Sequence, residues 1–394
     1  MKILTIIILM IANMAKGADF KLKTGMESKG IESYIIQNKS NTYWLAYQIE
    51  AQEQTRSMCC WNSKNKEMKQ CDLEKLNTSF GNSSSDGITQ KLNIYVKVHK
   101  QKVENILTVG DKCKVVAGQY NVKWLDDISL NQSIEWLKMI SNSLTKKLAD
   151  SALYSLANHK GKPASKALFE LASLNEKHIS KNAIFWIGNS RNDGVEYLQK
   201  LYHRLPAGKV KNHINFALTQ SKSAKSIEFL KFIALNDISS EQRSDAYFWL
   251  AQEGMPDAID LLVHAINNDK SNSVREKAIF SLSQIDSEGA DKALLKIAKS
   301  HDSSELKEKA LFWLSQTKPE SAKEVVLEIL NTTKSHHEIN NAVFLLSQLS
   351  HHNNDDSLFS LLTENYSRQV KKQALFWLSQ SENPDTLNKL ESLL

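Results

Sequence analysis

The residues of this chain best suited to chemistry are four cysteines and two histidine doublets. Cys59, Cys60, Cys71 and Cys113 offer three possibilities: disulfides, a zinc site or thiol exchange. Zinc needs ligands at ordered spacing, and no histidine spacing joins these cysteines. Thiol exchange favours Cys-x-x-Cys, which the vicinal pair Cys59-Cys60 does not form. An even count fits a disulfide framework. Neighbouring cysteines rarely bond to each other, because the ring they would close is strained. One of Cys59 and Cys60 is therefore expected to pair with Cys71 and the other with Cys113, in either arrangement. His336-His337 and His351-His352 look like metal doublets, but fifteen residues of helix separate them by about 22 Å. One ion cannot bridge that span, so they read as turn histidines. The chain has no Gly-x-Ser-x-Gly elbow, phosphate-cradling glycine loop or His-Glu-x-x-His helix. No catalytic residue, metal or cofactor is assigned, and the reading is of a protein that is not an enzyme.

The elements that carry these residues fall into three segments: 1–17, 18–128 and 129–394. Met1-Lys2 is followed by an apolar run from Ile3 to Ala12 and small residues at Ala15, Gly17 and Ala18. That pattern predicts a secretory signal peptide, cut after Gly17, and an exported protein, periplasmic or secreted. The run is too short to span a bilayer and no later segment is longer. No integral membrane segment is therefore expected after signal removal. Thr42–Glu50 alternates, with Tyr43, Leu45, Tyr47 and Ile49 on one face, and so does Leu92–Val98. With Ile106–Val109, a turn near His99–Lys102 and a further candidate at Cys113–Ala117, residues 18–128 predict a small β-rich domain holding all four cysteines. The polar stretch Asn77–Gly87 reads as a loop.

Residues 129–394 repeat themselves. Ala183-Ile-Phe-Trp-Ile-Gly-Asn189, Ala246-Tyr-Phe-Trp-Leu-Ala-Gln252 and Ala310-Leu-Phe-Trp-Leu-Ser-Gln316 are three of eight copies of one segment. Their central aromatics are Tyr154, Phe185, Phe216, Phe248, Phe280, Phe312, Phe344 and Phe376, spaced by 31, 31 and then 32 residues five times. Second apolar stretches with helical spacing lie between the copies, so each period is a helix pair. Pro163, Pro256, Pro319 and Pro384 fall in the turn before the next helix, where proline sacrifices no hydrogen bond. The fold class is mainly α: a helical solenoid of about eight pairs preceded by the β-rich domain. Its 41% apolar and 24% charged residues suit such a folded chain and exclude wholesale disorder. The net charge of +6 falls to +4 once Lys2 and Lys16 leave with the signal, and it is spread too evenly for a nucleic-acid footprint.

Asp269-Lys-Ser-Asn-Ser-Val-Arg-Glu-Lys-Ala278 has the form D-x-x-x-x-V-R-x-x-A, which resembles the HEAT family, specifically its short variant found in phycobilin-lyase-type repeats. Only Val274-Arg275 keeps the Val-Arg pair intact, with Val370-Lys371 and Leu306-Lys307 as near variants. Met58-Cys-Cys-Trp61 together with the repeats is similar to exported HEAT-repeat proteins. The resemblance implies a superhelical stack with the aromatic-bearing helices on the concave side. Some members of this repeat class are enzymes. Deoxyhypusine hydroxylase holds two irons through several His-Glu pairs, whereas only His337-Glu338 forms one here.

On the helix Leu306–Gln316, a turn of 100° per residue gathers Leu306, Ala310, Trp313 and Leu314 on a packed face and sends Phe312 nearly opposite. Applied to every period, this predicts a ladder of Phe185, Phe216, Phe248, Phe280, Phe312, Phe344 and Phe376 after Tyr154. Beside it runs a ladder of amides: Asn158, Asn189, Gln220, Gln252, Gln284, Gln316, Gln348 and Gln380. Amides offer a donor and an acceptor to a peptide backbone, and aromatic rings offer flat apolar area. The functional expectation is a concave groove for a protein or peptide partner. The alternatives are that the aromatics fill gaps between repeats and the amides cap helix ends. Two rival roles stand beside it: recognition by the β-rich domain with the solenoid as spacer, or a lyase-like repeat enzyme or its partner. Trp186, Trp249, Trp313 and Trp377 alternate with Ala217, Ser281 and Leu345, a large-over-small rhythm that predicts interlocking neighbours.

Overall fold

The computed structural model describes residues 30–391 apart from 54, 63–66, 69, 77–86, 143–144, 175, 350–354 and 382–383. The segment 1–17 expected to be a signal peptide, nearly all of the polar stretch at 77–87 and the doublet His351-His352 lie outside the described residues. The chain divides into two compact units, one running to Ala167 and one from Leu168. The first therefore takes in helices Leu130–Ser141 and Lys146–Ala157, which the repeat register places in the array.

In the first unit the strands are β1 (Thr42–Glu50), β2 (Trp61–Asn62), β3 (Glu67–Met68), β4 (Cys71–Asp72), β5 (Lys91–His99), β6 (Lys102–Gly110), β7 (Val115–Val116) and β8 (Val122–Trp124). Four of them form a sheet in the order β6-β5-β1-β8, antiparallel except for β8 beside β1. The β5–β6 hairpin turns at Lys100 and Gln101, both at positive φ (46° and 62°). A two-residue turn of that hand matches the twist of the strands it joins. The alternation in β1 suggests one buried face, but both faces are buried. Trp44 and Ala46 pack with Tyr95, Leu107, Val109, Leu73 and Ala117. On the other face Tyr43, Leu45, Tyr47 and Ile49 are also buried. There Tyr34 of helix Ile31–Gln37 meets the ring of Tyr43 edge-on. Ser155 of helix Lys146–Ala157 meets Thr108 of β6 at 2.6 Å.

A polar chain runs through that second interface. Ser133 Oγ lies 3.0 Å from the Tyr47 hydroxyl and 2.7 Å from His159 Nε2, and His159 Nδ1 reaches the Ser155 carbonyl at 2.8 Å. A carbonyl only accepts, so Nδ1 carries the ring proton. Ser133 Oγ donates to the Tyr47 hydroxyl. All three side chains are fully buried, so this chain is structural and no substrate reaches it.

The cysteines form two bridges, Cys59–Cys113 and Cys60–Cys71, and no cysteine is free. Of the two arrangements left open by the sequence, this one holds. The cysteine segment is seated by Gly110, whose N–H donates to the Ser57 carbonyl at 2.5 Å. A Cβ at Gly110 would lie 2.4 Å from that oxygen, so only glycine allows the approach.

The second unit is a stack of helix pairs in two layers, the HEAT-like solenoid predicted from the period. The aromatic-bearing layer is Lys177–Ser190, Lys209–Gln220, Ser240–Gln252, Asn272–Ser283, Ser304–Thr317, His336–Leu349 and Arg368–Ser379. The other layer is Gly194–Arg204, Ala224–Asn236, Ala258–Asn268, Glu288–Ser300, Pro319–Thr332, Asp356–Thr363 and Pro384–Glu391. Aromatic-bearing helices touch their successors more extensively than the partner helices touch theirs, which makes them the inner layer. Ala183, Ala246, Ala278, Ala310, Ala342 and Ala374 are buried at the same point of six of the seven inner helices, where a small side chain lets backbones come close, and Ile214 takes that point in the seventh. Among the described residues no helix is long and apolar enough to cross a membrane.

The turns into several consecutive inner helices are held by a repeated contact. Asp237 and Asp269 accept from the N–H two residues on, at Ser239 (2.7 Å) and Ser271 (2.8 Å), and the ring of His301 does the same for Ser303 at 2.9 Å. The preceding repeat binds the same aspartates. Tyr202 donates to Asp237 Oδ2 at 2.5 Å, and Arg243 grips Asp269 through two bonds of 2.8 and 2.7 Å. Arg243 also donates to the carbonyls of Asp237 and Ile238. Arg243 thus fills the arginine position of the repeat, and the search for a Val-Arg pair overlooked it because Gln242 stands where valine is expected. Burial opposes ionisation of Asp269, but the Arg243 fork and the Ser271 N–H together hold its carboxyl below the usual carboxylate range. Replacing Asp269 with Asn should cost about 3–5 kcal/mol at neutral pH, since it leaves Arg243 buried without its counter-charge. A group with a depressed native pKa stabilises above its unfolded value and loses that contribution as pH falls through the native one. In urea unfolding, the gap between wild type and Asp269→Asn should hold from neutrality to mild acid and close below about pH 4. A gap that does not change with pH would contradict the assignment.

Candidate polypeptide-binding face

Each inner helix buries its alanine and leucine positions against its own pair and its neighbours, which leaves the central aromatic at the inner surface. Phe185, Phe216, Phe248 and Phe280 are half-buried, and Phe312, Phe344 and Phe376 are 43%, 41% and 52% exposed. The rings are thus neither wholly core nor free. Tyr154 is the exception. It is buried in the first unit, where its hydroxyl contacts the Met58 sulfur, so the ladder has seven rungs and not eight. The amide beside it is likewise structural, because Asn158 Nδ2 donates to the Tyr154 carbonyl at 2.8 Å.

The rings touch from one repeat to the next. Phe185 stacks on Phe216 with centroids 6.1 Å apart and planes at 13°, and Phe248 stacks on Phe280 at 6.3 Å and 2°. The tryptophans link three of the four remaining steps. Trp249 packs on Phe216 (4.8 Å), Trp313 on Phe280 (4.8 Å) and Trp377 on Phe344 (5.1 Å). Each tryptophan therefore lies against the phenylalanine of the repeat before it, the one carrying Ala217, Ser281 or Leu345. The large-over-small rhythm does interlock neighbours, but at the inner surface. Trp186, Trp249, Trp313 and Trp377 are half-buried, whereas the wheel places Trp313 within the packed face. The indole is too large for the space beside Ala310 and Leu314 and spreads over the neighbouring ring.

The amides stand at the ends of the inner helices. Gln252, Gln284, Gln316, Gln348 and Gln380 are exposed, as is Asn189, and Gln220 is half-buried. Four of them share one local motif. The hydroxyl one residue earlier donates to the carbonyl of the ladder phenylalanine and accepts from the glutamine. Ser283 donates to Phe280 (2.7 Å) and accepts from Gln284 (3.1 Å); Ser315 does so with Phe312 (2.6 Å) and Gln316 (3.3 Å). Ser379 and Thr219 repeat it with Phe376 and Gln380 and with Phe216 and Gln220. The amide is thereby laid along the helix end beside the ring. The Phe-x-x-Ser-Gln spacing that encodes this was present in the repeat, and the role of its hydroxyl was missed.

Two cavities open on this face. One, of about 410 Å³, lies between helices Ser304–Thr317 and His336–Leu349 and has Phe312, Leu311, Phe344 and Leu345 in its wall. The other, also about 410 Å³, holds Phe216, Trp249, His213, Asp245, Lys181 and Lys209. Burial pushes the Asp245 carboxyl up, against the pull of a 2.9 Å bond from Asn215. Burial and the nearby Lys181 push the His213 ring down. His336 and His337 are exposed, and His337 Nε2 meets Glu308 at 3.2 Å.

Comparison with known proteins agrees with this architecture. Residues 227–310 match the pattern of HEAT repeats. Human deoxyhypusine hydroxylase aligns at 15% identity over 63% of this chain and 95% of its own, with a TM-score of 0.26. The Escherichia coli protein YibA aligns at 16% over 65% and 98%, with 0.35, and an engineered protein at 18% over 62% and 77%, with 0.26. No protein of curated function matches the chain by sequence.

The ring contacts make a stability prediction. Trp313→Ala removes an indole packed on Phe280 and Phe312. As a half-buried site it should lose about 2 kcal/mol, short of the 3–5 kcal/mol of a fully buried tryptophan. The midpoint of urea unfolding should fall accordingly, and an unchanged midpoint would contradict the packing described.

Proposed function

We propose that this protein is an exported scaffold that binds a polypeptide along the inner face of its solenoid. The observation that carries this reading is the aromatic stripe: ring contacts join Phe185 to Phe280 and on to Trp313, yet the rings stay partly open to solvent. A contiguous exposed aromatic surface on a rigid frame is what interaction sites present. Phe185, Phe216, Phe248, Phe280, Phe312, Phe344 and Phe376 would supply flat contact area. Gln220, Gln252, Gln284, Gln316, Gln348 and Gln380 each keep an amide oxygen for a partner's N–H. Export is supported by the Met1–Gly17 segment and by four cysteines that are all bridged, which suits an oxidising compartment. In this reading 1–17 is removed, 18–128 is a disulfide-bearing module and 129–394 is a repeat array of the short HEAT type.

Phe312, Phe344 and Phe376 are about half exposed, so replacing all three with Ser should lower stability by about 2–4 kcal/mol through lost ring contacts yet leave the helical array folded. The same variant should no longer retain the polypeptide that the wild-type chain captures from envelope extract. Loss of folding would show that the rings are core, and retained capture would show that the partner binds elsewhere.

A further inference from the structure

The stacking along the inner face has one break. Two phenylalanine pairs with a tryptophan-bearing repeat first, Phe185–Phe216 and Phe248–Phe280, stack nearly parallel. The third such pair is Phe312 and Phe344, and among the described residues these two rings make no contact with each other. The residue after the second phenylalanine is Ala217 or Ser281 in the first two pairs and Leu345 in the third. A buried leucine at that point holds the helices apart. Helices Ser304–Thr317 and His336–Leu349 accordingly touch far less than Asn272–Ser283 touches Ser304–Thr317, and the gap is the cavity of about 410 Å³ that both rings wall. Its size lies within the range of built ligand sites, about 300–1,000 Å³.

The floor and rim of the gap differ in character. Leu311, Leu345 and Ile329 make it apolar, and three lysines stand around it. Lys299 is paired with Glu328 at 2.7 Å and Lys309 with Glu276 at 3.3 Å. Lys307 has no ion pair or side-chain hydrogen bond among the described residues. Of the carboxylates in the wall, Glu308 faces His337 and Glu338 accepts from Thr333. Lys307 is therefore the one lysine of this wall without a carboxylate partner among the described residues, and it stands beside an open aromatic slot.

We propose that this gap is the specificity subsite of the groove and seats an aromatic side chain flanked by a carboxylate, presented by an extended polypeptide. The inserted ring completes the interrupted stack between Phe312 and Phe344, as offset rings prefer. The neighbouring Asp or Glu of the ligand meets Lys307. This inference rests on the polypeptide-groove reading and adds the chemistry that the groove selects.

The test is selection of linear peptides from a random display library on the full chain, on Lys307→Glu and on Phe344→Ala. Wild type should enrich peptides in which Phe, Tyr or Trp adjoins Asp or Glu. Lys307→Glu, a surface change, should weaken those peptides about tenfold and shift its own selection toward Lys or Arg beside the ring. Phe344→Ala should lose the aromatic preference. Enriched peptides lacking the aromatic–acidic pair, or equal binding to Lys307→Glu, would overturn the subsite while leaving the groove intact. Failure of wild type to enrich any peptide would overturn both.

Discussion

Every inner helix of a solenoid has a neighbour on each side and must bury two flanks with one sequence. A single helix pair cannot cover its own apolar stripe, so stability is shared across each junction. That constraint explains the strict period. The alanine at the centre of six of the seven inner helices lets backbones approach closely, and Asp237 and Asp269 tie the turn of one repeat to a side chain of the one before. It also explains the alternation after each phenylalanine. Each of Trp249, Trp313 and Trp377 lies over the phenylalanine of the repeat before it, where the next residue is not a tryptophan. Where Leu345 takes the small position, the helices part and a cavity opens.

The period, the helix pairing and the outward direction of the ladder phenylalanines were legible in the sequence, because each depends on spacing along one helix. The β5–β6 turn was legible for the same local reason, whereas the sequence left open which of Cys59 and Cys60 meets Cys113, a contact across 54 residues. What was not legible depends on contacts between elements distant in sequence. The alternation in β1 reads as one buried face, and only the fold shows helices Leu130–Ser141 and Lys146–Ala157 lying over the other side of the sheet. Tyr154 fits the repeat pattern, yet its repeat is packed against that sheet and its ring becomes core. Trp313 follows the helical wheel into the packed face, but its volume displaces it to the inner surface. Arg243 was hidden because the pattern was sought as Val-Arg, while the charge pair needs only the arginine.

The same constraint connects fold to function. Rings that must both interlock repeats and face inward are only half covered, so the stack produces an aromatic surface as a by-product of its packing. The serine or threonine three residues after the ring fixes the helix end and lays the glutamine beside it. The inner helices thereby carry a repeated apolar and amide character. The first unit is a separate compact unit, held by two disulfides and a buried polar chain.

The most direct measurement is site-specific photocrosslinking in the cells that make the protein. A benzoylphenylalanine is placed at Phe312 on the inner face and, in a separate variant, at Lys296 on the exposed side of the other layer. A polypeptide captured from position 312 and not from position 296 is the predicted result. Capture from neither position, or equally from both, would contradict the inner face as the binding surface.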